Sequence, residues 1–151
     1  MKYRRNAALG EALAPHLAGF VRNLGWRVDL VVPVPLSRRR MKERGYNQVG
    51  PLAMPLAAML GWRYSPQVLA QTRETRSQVG LSPLERKVNI AGAFRAEPVL
   101  VAGKAILLVD DVVTTGATMA ACAKALVKAD AQIVYGLTLA RALPHHGLQI
   151  V

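Results

Sequence analysis

The sequence predicts an α/β protein whose parallel sheet is flanked by helices. The first observation is the five-residue apolar run at 105–109, which is typical of a strand covered on both faces in a parallel sheet. The second is the order of elements over 105–140, where a strand, a short polar loop, a helix and another strand form a βαβ unit. The third is size, because 151 residues, of which 52% are hydrophobic, can bury roughly 70% of the unfolded surface.

The first part of the chain predicts one helix and one strand. Apolar residues recur at three- and four-residue spacing from Leu9 to Leu24, which indicates an amphipathic helix. Pro15 lies inside this pattern, so the helix is either kinked there or begins there, and Gly25 is a plausible end. Residues 28–35 are predicted to form a buried strand, which two prolines end because they cannot donate to a ladder.

The remaining elements alternate as an α/β protein requires. Residues 47–60 are rich in Leu, Ala and Met and predict a second helix. Residues 63–98 are polar, basic and weakly periodic, so we expect a long connection that serves as a mobile lid or binding loop. An alanine-rich helix is predicted at 117–129 and a further strand at 132–140.

Composition and charge exclude several classes of protein. The single cysteine, Cys122, excludes an internal disulfide and a cysteine-rich zinc site. No apolar run reaches the ~18 residues of a membrane span, and no signal peptide follows Met1, so we expect a cytoplasmic protein without membrane insertion. The net charge of +11 indicates an anionic partner, which could be a nucleic acid, a membrane surface or a phosphorylated small molecule.

A short segment after the apolar run carries the chemistry. Asp110 and Asp111 stand at the carboxyl end of the predicted strand, where ligands bind in open α/β sheets. A Thr-Thr-Gly-Ala-Thr turn at 114–118 then opens a helix, and its small residues, hydroxyls and helix N-terminus predict a monophosphate cradle. Two acids are not attracted to a phosphate, so they must serve sugar hydroxyls or a metal, and a ribose 5-phosphate fits. The alternative is an acidic strand end followed by a helix that Thr114 or Thr115 caps.

The segment from Ile106 to Thr118 resembles the signature of the type I phosphoribosyltransferases. The resemblance implies that Asp110 and Asp111 are the catalytic residues and hold the ribose hydroxyls of phosphoribosyl pyrophosphate. It also implies Mg²⁺ as the cofactor, held mainly by substrate oxygens near these two acids. The residues that would bind the 5′-phosphate are Thr114, Thr115, Gly116, Ala117 and Thr118.

Other motifs resemble the ComF/GntX group of that superfamily. They are Val-Pro-Val-Pro-Leu at 32–36, arginines at 38–40, Arg-Gly-Tyr-Asn-Gln at 44–48, the segment 72–90 and Gly-Ala-Phe at 92–94. The resemblance covers about residues 1–141 and implies one domain over 1–151, a mobile loop at about 63–98, and a hood that is reduced or absent. The chain lacks the N-terminal cysteine-rich segment that is usual in the group. The further substrate contacts that the resemblance implies are Pro35, Leu36, Ser37, Arg38, Arg73, Arg76, Gln78 and Arg86.

The resemblance also implies a function. It is the transfer of a phosphoribosyl group to an unidentified acceptor, with a role linked to competence or DNA uptake. The alternative is a non-catalytic protein of the DNA-uptake machinery that binds single-stranded DNA or senses the ligand, which the charge of +11 favours. Aromatic residues make up only 5% of the chain, so platforms for base stacking are scarce. Competence proteins and a second copy of the chain remain open as partners.

Overall fold

The fold consists of a four-stranded parallel sheet with helices on both faces and a separate two-stranded antiparallel sheet. A computed structural model describes residues 2–75 and 80–142, with side chains at position 8 and from position 10 onward. In chain order the elements are α1 (Lys2–Asn23), β1 (Leu30–Pro33), α2 (Arg38–Arg44), α3 (Gly50–Leu60), β2 (Arg63–Tyr64), a 3-10 turn (Pro66–Val68), β3 (Leu69–Gln71), α4 (Pro83–Ile90), β4 (Phe94–Ala96), α5 (Pro98–Val101), β5 (Ala105–Val113), α6 (Ala117–Lys128) and β6 (Ile133–Arg141).

The main sheet has the strand order β2–β1–β5–β6, and all three strand pairs are parallel. Val32 of β1 lies opposite Leu108 of β5, and Asp110 of β5 lies opposite Thr138 of β6. Parallel neighbours need crossover connections, which the helices supply. The predicted α/β class, with a parallel sheet flanked by helices, is confirmed.

The central strand β5 is covered on both faces, as the apolar run predicted. Ile106, Leu107, Leu108 and Val109 are all fully buried. Successive side chains of a strand point to opposite faces, so Ile106 and Leu108 pack in the cluster that contains α6, while Leu107 and Val109 pack in the cluster that contains α1 and α3. The same alternation gives the next two residues of β5 different surroundings.

Helix α1 continues through Pro15 instead of beginning there. Proline leaves one helical hydrogen bond unmade, and the buried residues Ala14, Ala18 and Val21, on either side of it, anchor the helix to the core. Gly25 follows the helix with a φ of +65°, in agreement with the predicted end. Among the helices of residues 2–75 and 80–142, none is long and apolar enough to cross a membrane.

A close approach of α1 to α3 gives a test of this packing. A Cβ built at the buried Gly10 would lie 3.2 Å from the backbone N of Leu52, whereas one built at the exposed Gly19 meets nothing within 4 Å. We expect Gly19→Ala to raise the free energy of unfolding by about 0.5–1 kcal/mol, because alanine favours the helix. Gly10→Ala should be about 1–3 kcal/mol less stable than Gly19→Ala, because overpacking opposes that gain. Urea denaturation measures both, and equal stabilisation would contradict the close contact.

The segment 63–98, which was predicted as a long connection, contains several short elements of secondary structure. It contains β2, the 3-10 turn, the antiparallel pair β3–β4, and helices α4 and α5. Ile90 and Phe94 are buried and pack in the core cluster that contains α6. The elements were missed because they are short, from two to eight residues, and periodicity needs a longer window to detect them.

Candidate functional site

A cleft of about 350 Å³ lies at the carboxyl ends of β1 and β5. Ligands bind at this edge in open α/β sheets, beyond the ends of the strands. The cleft brings together residues from five separate parts of the chain. The residues predicted from the sequence that line it are Pro35, Leu36, Ser37, Arg86, Asp110, Asp111, Thr114, Thr115, Gly116, Ala117 and Thr118.

The two acids lie within β5, because the ladder continues beyond the apolar run to Val113. The backbone N–H of Asp111 donates to Oδ1 of Asp110 at 2.9 Å. The backbone N–H of Val112 donates to Oδ1 of Asp111 at 2.8 Å, and the side-chain amide of Gln48 donates to Oδ2 of the same carboxylate. Adjacent strand positions therefore hold two carboxylates with different partners.

Asp110 is the acid whose protonation the structure changes. Burial raises the pKa of Asp110 to about 7, the backbone N–H of Asp111 opposes this, and the neighbouring carboxylate adds to it. The fully buried thiol of Cys122 has a pKa raised by burial and, secondarily, by the charge of Asp110. Cys122 is therefore a small apolar core residue next to the site, and Asp110 can exchange a proton near neutral pH.

The turn from β5 into α6 forms another wall of the cleft. Gly116 is the residue before the first helical turn, with a left-handed φ of +79° and no side-chain cap. The alternative that Thr114 or Thr115 serves as a plain helix cap is therefore wrong. The first backbone N–H groups of a helix lack helical partners and carry partial positive charge. The hydroxyl of Thr115 accepts from the N–H of Ala117 at 3.4 Å, beside a helix N-terminus of the kind that attracts an anion.

A short loop after β1 forms a third wall. Ser37 is buried and caps the N-terminus of α2, where its hydroxyl accepts from the backbone N–H of Arg40 at 3.2 Å. The loop is tied to the sheet, because the N–H of Val34 donates to the carbonyl of Val109 at 2.8 Å. Helix α2 was not expected from the sequence, and its first turn places Arg40 in the cleft lining.

The structure separates the predicted arginines into different roles. Arg86 lines the cleft, and its guanidinium donates to the carbonyl of Leu81 at 2.9 Å and to the hydroxyl of Thr114 at 3.2 Å. Arg38 is exposed and does not line the cleft. Arg73 is not brought to the cleft either, and its guanidinium instead donates to two backbone carbonyls at the end of α4 and just beyond it. Arg76 and Gln78 lie outside the described residues.

Several lining residues were missed by sequence reasoning. Three of them are Gln48, Gln71 and Thr75. Gln48 lies between α2 and α3, Gln71 is the last residue of β3, and Thr75 follows it by four residues. Gln48 belongs to the Arg-Gly-Tyr-Asn-Gln motif at 44–48, so the motif had singled it out without giving it a role. No spacing rule connects it to Asp111, because the two are 63 residues apart in the chain.

Comparison with known proteins identifies relatives that match most of the chain. Residues 11–143 match the phosphoribosyl transferase domain family. The chain is 39% identical over 148 residues to the DNA utilization protein YhgH of Salmonella typhimurium, which covers 95% of this chain and 65% of that protein. It is 33% identical over 120 residues to competence protein F of Haemophilus influenzae, which covers 76% of this chain and 51% of that protein. The chain thus spans less than two thirds of these relatives.

Solved structures share the fold at low sequence identity. An adenine phosphoribosyltransferase from Thermoanaerobacter pseudethanolicus has a TM-score of 0.57 at 16% identity, over 93% of this chain and 84% of that chain. A glutamine phosphoribosylpyrophosphate amidotransferase from B. subtilis has a TM-score of 0.57 at 20% identity, over 91% of this chain and 26% of that chain. Both comparisons agree with the observed parallel sheet and its helices.

Proposed function

Because the chain belongs to the phosphoribosyltransferase family, in its ComF-like type I group, we propose that the cleft binds phosphoribosyl pyrophosphate with Mg²⁺. We further propose that the protein transfers the phosphoribosyl group to an acceptor. The observation that carries the proposal is the meeting of the acid pair Asp110–Asp111 with the turn 114–118 in one cleft. A sugar phosphate has a diol at one end and a phosphate at the other, which matches these two walls.

The turn 114–118 would hold the 5′-phosphate. Its backbone runs into the N-terminus of α6, where the partial positive charge of a helix N-terminus favours an anion. Gly116 adopts a conformation that other residues rarely reach, so the tight turn depends on it. Arg86 already donates to Thr114, which brings a permanent cation to the same wall.

The acid pair would hold the ribose hydroxyls. Ionised carboxylates accept hydrogen bonds from hydroxyl groups, while a carboxyl with a pKa of about 7 can both donate and accept near neutral pH. Asp110 and Asp111 would therefore position the sugar, and either could take a proton from an acceptor.

The same carboxylates suit Mg²⁺, which is usually held by one or two carboxylates together with substrate phosphates and water. The described part of the chain contains no cluster of three or more His, Cys, Asp or Glu that could hold a metal without a substrate. Asp110 and Asp111 would therefore hold the ion jointly with substrate oxygens. Bound there, Mg²⁺ would neutralise charge on the pyrophosphate.

The transfer step would break the bond between C1 of the ribose and the pyrophosphate oxygen. Pyrophosphate leaves with the electron pair, and a lone pair of the acceptor forms the new bond to C1. Arg40 and Arg86 line the cleft and would stabilise the charge of the departing group. Helix α4, which carries Arg86, would help to exclude water as a competing nucleophile.

Titration calorimetry tests the binding proposal. We expect the wild-type protein to bind phosphoribosyl pyrophosphate in the presence of Mg²⁺ and to bind it less tightly with EDTA. Inorganic pyrophosphate and ribose 5-phosphate, which each carry one half of the ligand, should compete. If phosphoribosyl pyrophosphate gives no heat and displaces neither fragment, the proposal fails. Release of pyrophosphate on adding candidate acceptors then separates an enzyme from a ligand sensor.

A role in the use or uptake of DNA is proposed from two relatives, whose names refer to DNA utilization and to competence. A second candidate function is binding of single-stranded DNA, which is favoured by the exposed basic side chains of α2. Fluorescence anisotropy with a labelled oligonucleotide across a salt series tests it. Arg38→Glu should weaken such binding, whereas Arg63→Glu, an exposed arginine in β2, is the matched control. No binding at low salt would exclude this candidate.

A further inference from the structure

Gln48 connects the segment between α2 and α3 to the acid pair. Its side chain is half-buried, lines the cleft, and donates through Nε2 to Oδ2 of Asp111. The acceptor is a carboxylate oxygen, so the amide nitrogen must face it. This contact joins two parts of the chain that are 63 residues apart, and the role of Asp111 given above does not explain it.

The neighbouring Asn47 holds Gln48 in place. The side-chain amide of Asn47 donates to the carbonyl of Val34 at 2.9 Å, and its side-chain oxygen accepts from the N–H of Val49 at 3.1 Å. Val34 follows β1 and Val49 precedes α3, and both are buried. The backbone at Gln48 is therefore fixed to the sheet on one side and to a helix on the other, so its amide has a defined position.

We propose that Gln48 is a positioning residue that orients the Asp111 carboxylate toward the sugar. This inference rests on the proposed function and deepens it. Oδ1 of Asp111 accepts from Val112, and Oδ2 accepts from Gln48, so each oxygen is held by one donor. A carboxylate has about four acceptor positions, which leaves further positions for ribose hydroxyls. Without Gln48, one oxygen loses its donor and the carboxylate can rotate, which costs affinity for the diol.

A purely structural role for Gln48 makes a different prediction. If Gln48 only supported the segment before α3, its loss would weaken every ligand of the cleft to a similar degree. If it orients Asp111, its loss affects ligands that carry the ribose diol and spares inorganic pyrophosphate, which has none. Comparing ribose 5-phosphate with pyrophosphate therefore separates the two roles.

The experiment uses the full chain and two variants that remove the donor while keeping the size of the side chain. We expect Gln48→Leu and Gln48→Met, neither of which adds a charge, to bind ribose 5-phosphate and phosphoribosyl pyrophosphate about 10-fold more weakly, as the loss of one charge-assisted hydrogen bond implies. Their affinity for inorganic pyrophosphate, measured without Mg²⁺, should stay within about 2-fold of the wild type, because the diol and the ion that Asp111 would hold are both absent. Gln67→Leu is the matched control, because Gln67 is exposed in the 3-10 turn and is not in the cleft lining.

A second measurement tests the contact without any ligand. In ¹⁵N-labelled protein, the side-chain amide of Gln48 should show one shifted, slowly exchanging proton that Asp111→Asn alters. A solvent-like amide signal would overturn the inference. Unchanged ribose 5-phosphate affinity in both Gln48 variants would overturn it while leaving the proposed function intact. A wild-type protein that binds no ribose ligand would instead overturn the proposed function, and the positioning role with it.

Discussion

We expect the replacement of Asp110 and Asp111 together with asparagine to lower the affinity for phosphoribosyl pyrophosphate with Mg²⁺ by at least about 100-fold, since two charge-assisted hydrogen bonds would be lost. The substitution keeps the size of both side chains and removes their negative charge. The diol and the Mg²⁺ ion would lose their carboxylate partners, while the turn at 114–118 stays intact. Affinity for inorganic phosphate should therefore change little.

Calorimetry on the double variant measures this loss, and Asp130→Asn is its matched control. Asp130 is exposed, follows α6, and does not line the cleft. Asparagine also tolerates the positive φ of 63° at this position. A double variant that binds phosphoribosyl pyrophosphate as tightly as Asp130→Asn does would show that the acids do not hold the ligand.

The second large effect concerns stability, because the partly buried acid Asp110 lowers the free energy of unfolding once it is ionised in the folded state. The folded state raises the pKa of Asp110 from 3.8 to about 7. Below pH 3.8 the carboxyl is protonated in both the folded and the unfolded state. Between pH 3.8 and 7 only the unfolded state loses the proton, so stability falls as pH rises, by ~4 kcal/mol at most.

We therefore expect Asp110→Asn to be more stable than the wild type at pH 8 by about 2–4 kcal/mol and equally stable near pH 4. Asparagine cannot ionise, and its side-chain oxygen can still accept from the N–H of Asp111. Urea denaturation at pH 4, 6 and 8 measures the difference. A gap between the two proteins that does not change with pH would contradict the raised pKa. If Asp110→Asn is more stable but binds the ligand more weakly, the carboxylate needed for binding is one that lowers the stability of the fold.

The sequence predicted those helices and strands whose hydrophobic pattern is long and lies within one stretch of the chain. The helix predicted at 117–129 is α6, and the strand predicted at 132–140 is β6. The strand predicted at 105–109 is longer than expected. The polar side chain of Asp110 suggested that the strand ends there, but the backbone pairing with β6 continues to Val113. Pairing between backbones does not depend on side-chain polarity, so the hydrophobic pattern ended before the hydrogen bonds did.

Short elements were harder to predict, yet one of them carried a readable signal. Helix α4 begins with a capping box, in which Ser82 and Glu85 each hydrogen-bond the other's backbone N–H. A serine three residues before a glutamate is a recognisable helix start, and Pro83 lies between them at the first helical position. Searching the segment 63–98 for such caps would have located this helix.

The residues of the candidate site likewise fall into those that a local motif predicted and those that it did not. The acids and the turn at 114–118 lie in one local motif, so the sequence brought them together. Arg73 was expected to contact the substrate but does not line the cleft, whereas Arg40, for which no contact was predicted, does line it. The path of the chain decides which arginine reaches the cleft. Gln48 depends on a contact between distant segments, and neither composition nor periodicity can reveal such a contact.

Both ends of phosphoribosyl pyrophosphate should bind in one cleft. A crystal of the protein soaked with this ligand and MgCl₂ would show whether they do. We expect the 5′-phosphate within hydrogen-bonding distance of the backbone at 114–118 and the ribose hydroxyls at Asp110 and Asp111, with Mg²⁺ held near these two acids mainly by substrate oxygens. A ligand bound elsewhere on the surface, or a cleft that stays empty at saturating ligand, would contradict this expectation.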